Sequence, residues 1–133
     1  MPVNTVFIID DDDDDIRLMK DAITGIDPLI HIQPFRDGAT ALLFLEHCAE
    51  NELPNVLIVD YQMPLMTGPQ LLEQLNKVRY LSIPKFILST SSTIQHKISC
   101  TQAGAWRYFT KPSTFAELNE IVRQILDECH NFK

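Results

Sequence analysis

Five short apolar runs, each followed by a segment of helical period, constrain this chain more than any other feature. They are "TVFII" (5–9), "LIHIQPF" (29–35), "NVLIVD" (55–60), "PKFILS" (84–89) and "WRYFTK" (106–111). The first and third are continuous and β-branched, the mark of strands buried on both faces. Pro34 puts the second at a sheet edge or ends it early. Between the runs, Ile16, Met19 and Ile23 repeat at helical spacing, and Gly25 is expected to end that helix. Asp37 has the chemistry of an N-cap for a helix reaching about Ala49. Residues 67–78 form a third helix with Pro69 tolerated in its first turn, and residues 93–105 a fourth, ended by Gly104. A last helix starts near Ser113 with Phe115, Leu118, Ile121, Val122, Ile125 and Leu126 on one stripe. Strand and helix thus alternate five times. A (βα)5 chain of this kind demands a parallel, doubly wound sheet with right-handed crossovers and helices on both faces.

The 133 residues fit one domain with a real core, and 45% hydrophobic against 22% charged residues argues for a folded protein. No apolar run approaches the roughly 20 residues that cross a bilayer, and "MPVNTVF" lacks the basic start and apolar core of a signal peptide. Cys48, Cys100 and Cys129 are an odd, widely spaced set and read as reduced thiols in a cytoplasmic protein. Charge is unevenly placed. Residues 1–60 carry 13 acids against 3 bases, and residues 61–133 carry 5 acids against 8 bases. That balance argues against direct nucleic-acid binding, which requires a basic face. It suits a cation site near the first strand.

Ligands of such sheets bind outside the carboxyl ends of the strands, so the residues that end strands are the ones to weigh. The first strand runs into six aspartates, Asp10 to Asp15; the third ends at Asp60, the fourth at Ser89, and the fifth at Lys111 before Pro112. Carboxylates suit a hard cation such as Mg2+, and a carboxylate can also attack phosphorus to give an aspartyl phosphate. Lys111 can neutralise phosphoryl charge and the Ser89 hydroxyl can donate to a phosphoryl oxygen. Each group alone also has an ordinary structural reading. Asp60 can be a turn residue, Ser89 a helix cap, Lys111 a solvated charge, and the aspartate run a solvated acidic stretch. Four strand ends with complementary chemistry in one sheet favour a site.

The chain resembles a response-regulator receiver domain over nearly its full length. "VFIIDDDDDD" resembles the family's first strand and acidic pair, and "VLIVDYQMPLMTG" its phosphoacceptor strand and following loop. "FILST" resembles its fourth strand, and "AGAWRYFTKP" its "GA…Y…KP" segment. The resemblance implies a flavodoxin-like strand order of 2-1-3-4-5 and a stand-alone bacterial two-component switch, a single receiver domain over 1–133 with no output domain. It implies Asp60 as phosphoacceptor, with Mg2+ held by Asp11 directly, by Asp10 through water, by Asp60 and by the Gln62 backbone carbonyl. Ser89 becomes the switch hydroxyl, Tyr108 the switch aromatic and Lys111 the phosphate-contacting cation, with a cis Lys111–Pro112 bond aiming it. Asp12 to Asp15 then fall in the loop and first turn of the first helix, where the macrodipole favours negative charge. The phosphoryl donor is a sensor histidine kinase or phosphotransfer protein, and the protein catalyses only its own phosphorylation and dephosphorylation. The downstream target is an unnamed protein or a second copy of the chain, reached through the fourth helix, fifth strand and fifth helix. Trp106 either anchors that partner or folds back over Ile98 or Thr101. Thr90 stands where many relatives carry a smaller residue.

Two other readings differ in kind. A haloacid-dehalogenase-like Mg2+-dependent phosphatase also uses a strand-end Asp, a Ser or Thr and a Lys, but it expects Thr or Val where this chain has Asp14. A degenerate receiver would bind a partner without phosphorylation, which the full set of site residues argues against. An EF-hand loop starting at Asp10 fails because its sixth position is Asp15 instead of Gly and its twelfth Asp21 instead of Glu.

Overall fold

The computed structural model describes residues 3–91 and 93–131, the side chain of residue 131 excepted. The outermost residues of the expected domain lie outside that range. The strands are β1 (Thr5–Ile9), β2 (His31–Phe35), β3 (Val56–Asp60), β4 (Lys85–Ser89) and β5 (Arg107–Thr110). They form one parallel sheet in the order β2-β1-β3-β4-β5. The helices are α1 (Asp13–Ile26), α2 (Gly38–His47), α3 (Gly68–Gln74), α4 (Ile94–Ala103) and α5 (Phe115–Asn131). The expected doubly wound fold and its strand order are therefore present.

Strand alternation divides the core in two. Val6, Ile8, Ile58, Phe86 and Leu88 face one layer with Ile16, Met19 and Ile23 of α1 and Leu118, Val122, Ile125 and Leu126 of α5. Phe7, Ile9, Leu57, Val59 and Ile87 face the other, with Ala41 and Leu45 of α2, Leu71 and Leu72 of α3, and Cys100 and Ala103 of α4. β1, β3 and β4 are buried almost throughout, whereas β2 is an edge strand with an exposed His31, as Pro34 requires. The three cysteines are free thiols.

Several boundaries differ from the sequence expectation. Gly25 does not end α1; the helix continues to Ile26, and Asp27 turns extended at φ −146°, ψ 101°. The cause is Pro28, which disfavours helical backbone in the residue before it. β2 begins at His31 because Asp27 makes a turn, its Oδ1 accepting from the Leu29 N–H at 3.0 Å. α3 is short. Leu75 N–H bonds to both Leu71 and Leu72 carbonyls, and a 3-10 turn over Val78–Tyr80 follows. α5 starts at Phe115, with Thr114 Oγ1 accepting from the Glu117 N–H at 3.1 Å. Phe115 itself is 44% exposed and so leaves the buried stripe. No cis peptide occurs among the described residues, so the Lys111–Pro112 bond is trans, contrary to expectation. Lys111 reaches its partners without it.

Among the described residues no helix is long and apolar enough to cross a membrane.

Candidate functional site

β1 continues one residue past its end, because Asp10 N–H donates to the Phe35 carbonyl at 3.0 Å. This fixes Asp10 beside Asp60, the last residue of β3, and both are only 7% exposed. The loop after β3 is drawn back under the strand end by the Gly68 N–H, which donates to the Tyr61 carbonyl at 2.9 Å. A Cβ at Gly68 would lie 2.8 Å from the Asp60 carbonyl oxygen, so only glycine permits this approach. The backbone after β5 is set by the Lys111 N–H donating to the Ser89 carbonyl at 2.7 Å.

Asp10, Asp11 and Asp60 each bring a carboxylate oxygen within 4.8 Å of the others. Lys111 Nζ lies 3.3 Å from Asp10, 3.1 Å from Asp60 and 2.7 Å from Asp15. Burial pushes the Asp10 carboxyl up to about 7; the Asp12 N–H and Lys111 oppose the rise, while Asp60 and Asp15 add to it. Burial also raises Asp60, against the pull of Lys111 and of the Gln62 backbone N–H. Burial works against the Lys111 charge, but Asp15, Asp10 and Asp60 together hold its pKa above the ordinary value. The cluster holds more negative charge than Lys111 neutralises. Closely spaced oxygen ligands with unbalanced charge are what a small divalent cation selects, so the residues fit such an ion.

The remaining expected residues divide into groups. Ser89 is buried and its Oγ accepts from the Ser91 N–H at 3.1 Å. The half-buried Tyr108 donates its hydroxyl to the Ser91 carbonyl, so hydroxyl and aromatic meet at one loop residue. Gln62 is exposed. Trp106 sits at the opposite end of β5 from Lys111, 36% exposed, its N–H bonded to the Lys85 carbonyl at 2.7 Å. Behind the carboxylates a cavity of about 140 Å³ runs between α1 and α5, walled by Ile8, Met19, Ile58, Leu88 and Leu118.

The six aspartates separate by role. Asp10 and Asp11 join Asp60. Asp12 is the N-cap of α1, accepting from the Asp14 and Asp15 N–H groups. Asp13 pairs with Arg36 at 2.8 Å and Asp14 with Arg17 at 3.4 Å. Asp15 reaches Lys111. Sequence reasoning missed Asp15, placing it only in a favourable helix terminus, because its partner Lys111 lies 96 residues away.

A parallel α/β sheet with clustered carboxylates and a lysine at the carboxyl ends of its strands defines an aspartate-rich ion site of the doubly wound class. The chain belongs to the response regulator receiver domain family, whose model matches residues 6–123. It is 30% identical over 121 residues to the DNA-binding transcriptional regulator NtrC of Escherichia coli (strain K12), covering 91% of this chain and 24% of that protein. It is 32% identical over 126 residues to a protein-glutamate methylesterase/protein-glutamine glutaminase of Treponema pallidum (strain Nichols), covering 92% of this chain and 30% of that protein. The chain thus spans under a third of the length of these relatives. Among solved structures, the phosphorylated cyanobacterial phytochrome response regulator RcpA superposes with a TM-score of 0.86 at 24% identity, over 98% of this chain and 96% of that one. The Mn2+-bound form of response regulator Rcp1 gives 0.80 at 24% identity, over 92% and 91%. At such identities these two speak for the fold alone. Receiver domains are the signalling switches of two-component systems, bind a divalent metal and interact with histidine kinases or phosphotransfer proteins.

Proposed function

We propose that this protein accepts a phosphoryl group on Asp60 from a phosphohistidine, with Mg2+ as the divalent ion. The observation that carries this reading is the meeting of Asp10, Asp11 and Asp60 with Lys111 at adjacent strand ends. An Asp60 carboxylate oxygen attacks phosphorus; a P–O bond forms as the P–N bond breaks, and the electron pair leaves with the imidazole nitrogen. Asp11 and Asp60 with the Gln62 carbonyl would hold the ion directly and Asp10 through water. The bound ion supplies charge neutralisation between the carboxylates and the phosphoryl oxygens. Lys111 donates to a phosphoryl oxygen, and Ser89 turns from the Ser91 N–H to another. The Ser91 segment, tied to the Tyr108 hydroxyl, then carries the change to α4, β5 and α5.

The partner that phosphorylates it is a sensor histidine kinase or phosphotransfer protein, and the reading takes the receiver domain as a cytoplasmic switch. On the output face Ile94 and Ile98 of α4 are 66% and 50% exposed and Trp106 is partly exposed, which supports a protein target or a second copy there. Exposed aromatics at such sites dominate binding energy, typically by about 2 kcal/mol or more. Trp106→Ala is expected to phosphorylate normally while losing association measured by sedimentation or partner capture. Unchanged association returns Trp106 to a covering role on α4.

Mass spectrometry after treatment with acetyl phosphate and Mg2+ tests the central claim. Wild type is expected to gain one hydroxylamine-labile phosphoryl group that Asp60→Asn lacks and Asp10→Asn gains poorly. Equal labelling of Asp60→Asn would overturn it.

A further inference from the structure

Lys111 has three N–H donors, and the structure places three carboxylates around them: Asp15 at 2.7 Å, Asp60 at 3.1 Å and Asp10 at 3.3 Å. Two of these are committed elsewhere in the proposed reaction. Asp60 becomes the acyl phosphate, and Asp10 turns to the water shell of the ion. Asp15 is the partner that the reaction leaves untouched, and it is also the nearest.

Its placement is built rather than incidental. A residue at the third helical position often turns its side chain back to the N-cap N–H. Here that N–H, on Asp12, is already taken by Asp10 Oδ1 at 3.0 Å. Asp12 in turn accepts from the Asp14 and Asp15 N–H groups at 2.8 and 3.4 Å, which fixes the first turn of α1. With no backbone donor to satisfy, the Asp15 carboxylate is free to cross to the β5–α5 loop. Its side chain is 36% exposed and that of Lys111 only 18%, so the pair sits partly out of water, where a charge-assisted bond is stronger than at an open surface. Hydrogen bonding from Asp15 is the leading influence that raises the Lys111 pKa.

We infer that Asp15 is a positioning residue: it holds the Lys111 ammonium at the site while Asp10 and Asp60 change partners, so that the lysine's remaining donors meet the phosphoryl group already aimed. This rests on the phosphoacceptor reading. It separates the role of Asp15 from that of Asp13 and Asp14, whose partners Arg36 and Arg17 are well exposed and lie outside the site.

The test uses beryllofluoride with saturating Mg2+ as the phosphoryl mimic, titrated calorimetrically into the full chain. Wild type, Asp15→Ala, Asp15→Asn, Lys111→Ala and the Asp15→Ala/Lys111→Ala double variant are compared. Asp15→Ala is expected to bind the mimic roughly tenfold more weakly, with Asp15→Asn in between because its amide oxygen still accepts a hydrogen bond. In the Lys111→Ala background the Asp15 substitution is expected to change nothing further, and in the wild-type background the loss should persist when each variant is brought to its own Mg2+ saturation. Tighter mimic binding by Asp15→Ala would mean that Asp15 acts only as a repelling charge, and overturns the inference. So does an equal loss in both backgrounds, or a loss explained by weaker Mg2+ binding. Should Asp15→Ala fold poorly, Asp15→Asn decides alone, since it keeps the side-chain shape. Failure of wild type itself to bind the mimic refutes the phosphoacceptor reading instead, so the two failures are distinct.

Discussion

Replacing Asp10 by Asn should stabilise the metal-free protein, and by an amount that depends on pH. An unfolded aspartate loses its proton near 3.8, whereas burial keeps the Asp10 proton to about 7 in the folded chain. Between these values the folded state binds more protons than the unfolded state, so stability falls as pH rises. The loss is complete a little above pH 7. A carboxyl displaced that far corresponds to about 4 kcal/mol, and sharing of the charge with Asp60 and Lys111 brings the expectation to about 2–4 kcal/mol. Asn removes the charge but keeps an oxygen for the Asp12 N–H, which now donates to Asp10 at 3.0 Å. Urea unfolding in EDTA at pH 8 should therefore show Asp10→Asn more stable than wild type by that margin. At pH 4.5 the difference should shrink to about 1 kcal/mol or less. Added Mg2+ should stabilise wild type more than the variant and narrow the gap at pH 8. A variant less stable than wild type at pH 8, or a gap that does not change with pH, would refute the account of unbalanced buried charge.

Gly68→Ala forces a methyl against the Asp60 carbonyl oxygen, where backbone leaves no room. It is expected to cost about 1–3 kcal/mol in urea unfolding and to displace the Asp60 amide resonance. Leu65 holds φ at 70° with its side chain fully exposed, so Leu65→Gly should hold or raise stability in urea unfolding, by up to about 1 kcal/mol. A clear loss would show that the Leu65 side chain makes contacts in solution. Thr90 is an exposed β-branched residue beside Ser89, and Thr90→Ala should shorten the aspartyl phosphate lifetime by easing the approach of water; an unchanged lifetime removes the steric argument.

How much of this was readable in advance follows from what carries the information. The strands were legible because Val6–Ile9 and Val56–Val59 are continuous apolar runs, and burial of both faces leaves no other assignment. Asp60 and Lys111 were legible because a parallel sheet puts every strand's carboxyl end on one edge. Helix ends were less so. Gly25 looked like a stop, yet the backbone restriction imposed by Pro28 set the end of α1. The partner of Asp15 was illegible for another reason: 96 residues separate it from Lys111, and local pattern gives no hint of a bond made only by folding. The trans bond before Pro112 also went against expectation, since that expectation came from resemblance and not from a local physical preference.

The two-sided alternation of the strands has a consequence for how such a molecule tolerates length changes. Asp10, Asp60 and Lys111 fall an even number of residues from Ile8, Ile58 and Phe109, which pack towards α1 and α5. Ser89 falls two residues from Ile87, and Tyr108 is the register partner of Ile87 on β5, on the side that packs towards α4. The acid–base groups and the relay groups therefore occupy opposite sides of the same sheet edge. A one-residue insertion inside β3 would send Asp60 across to the other side while leaving the hydrophobic composition untouched, whereas a two-residue change would restore it. Library selections that vary strand length should accordingly recover even changes and lose odd ones, an inheritance rule written into the pleat of the backbone and independent of any particular side chain.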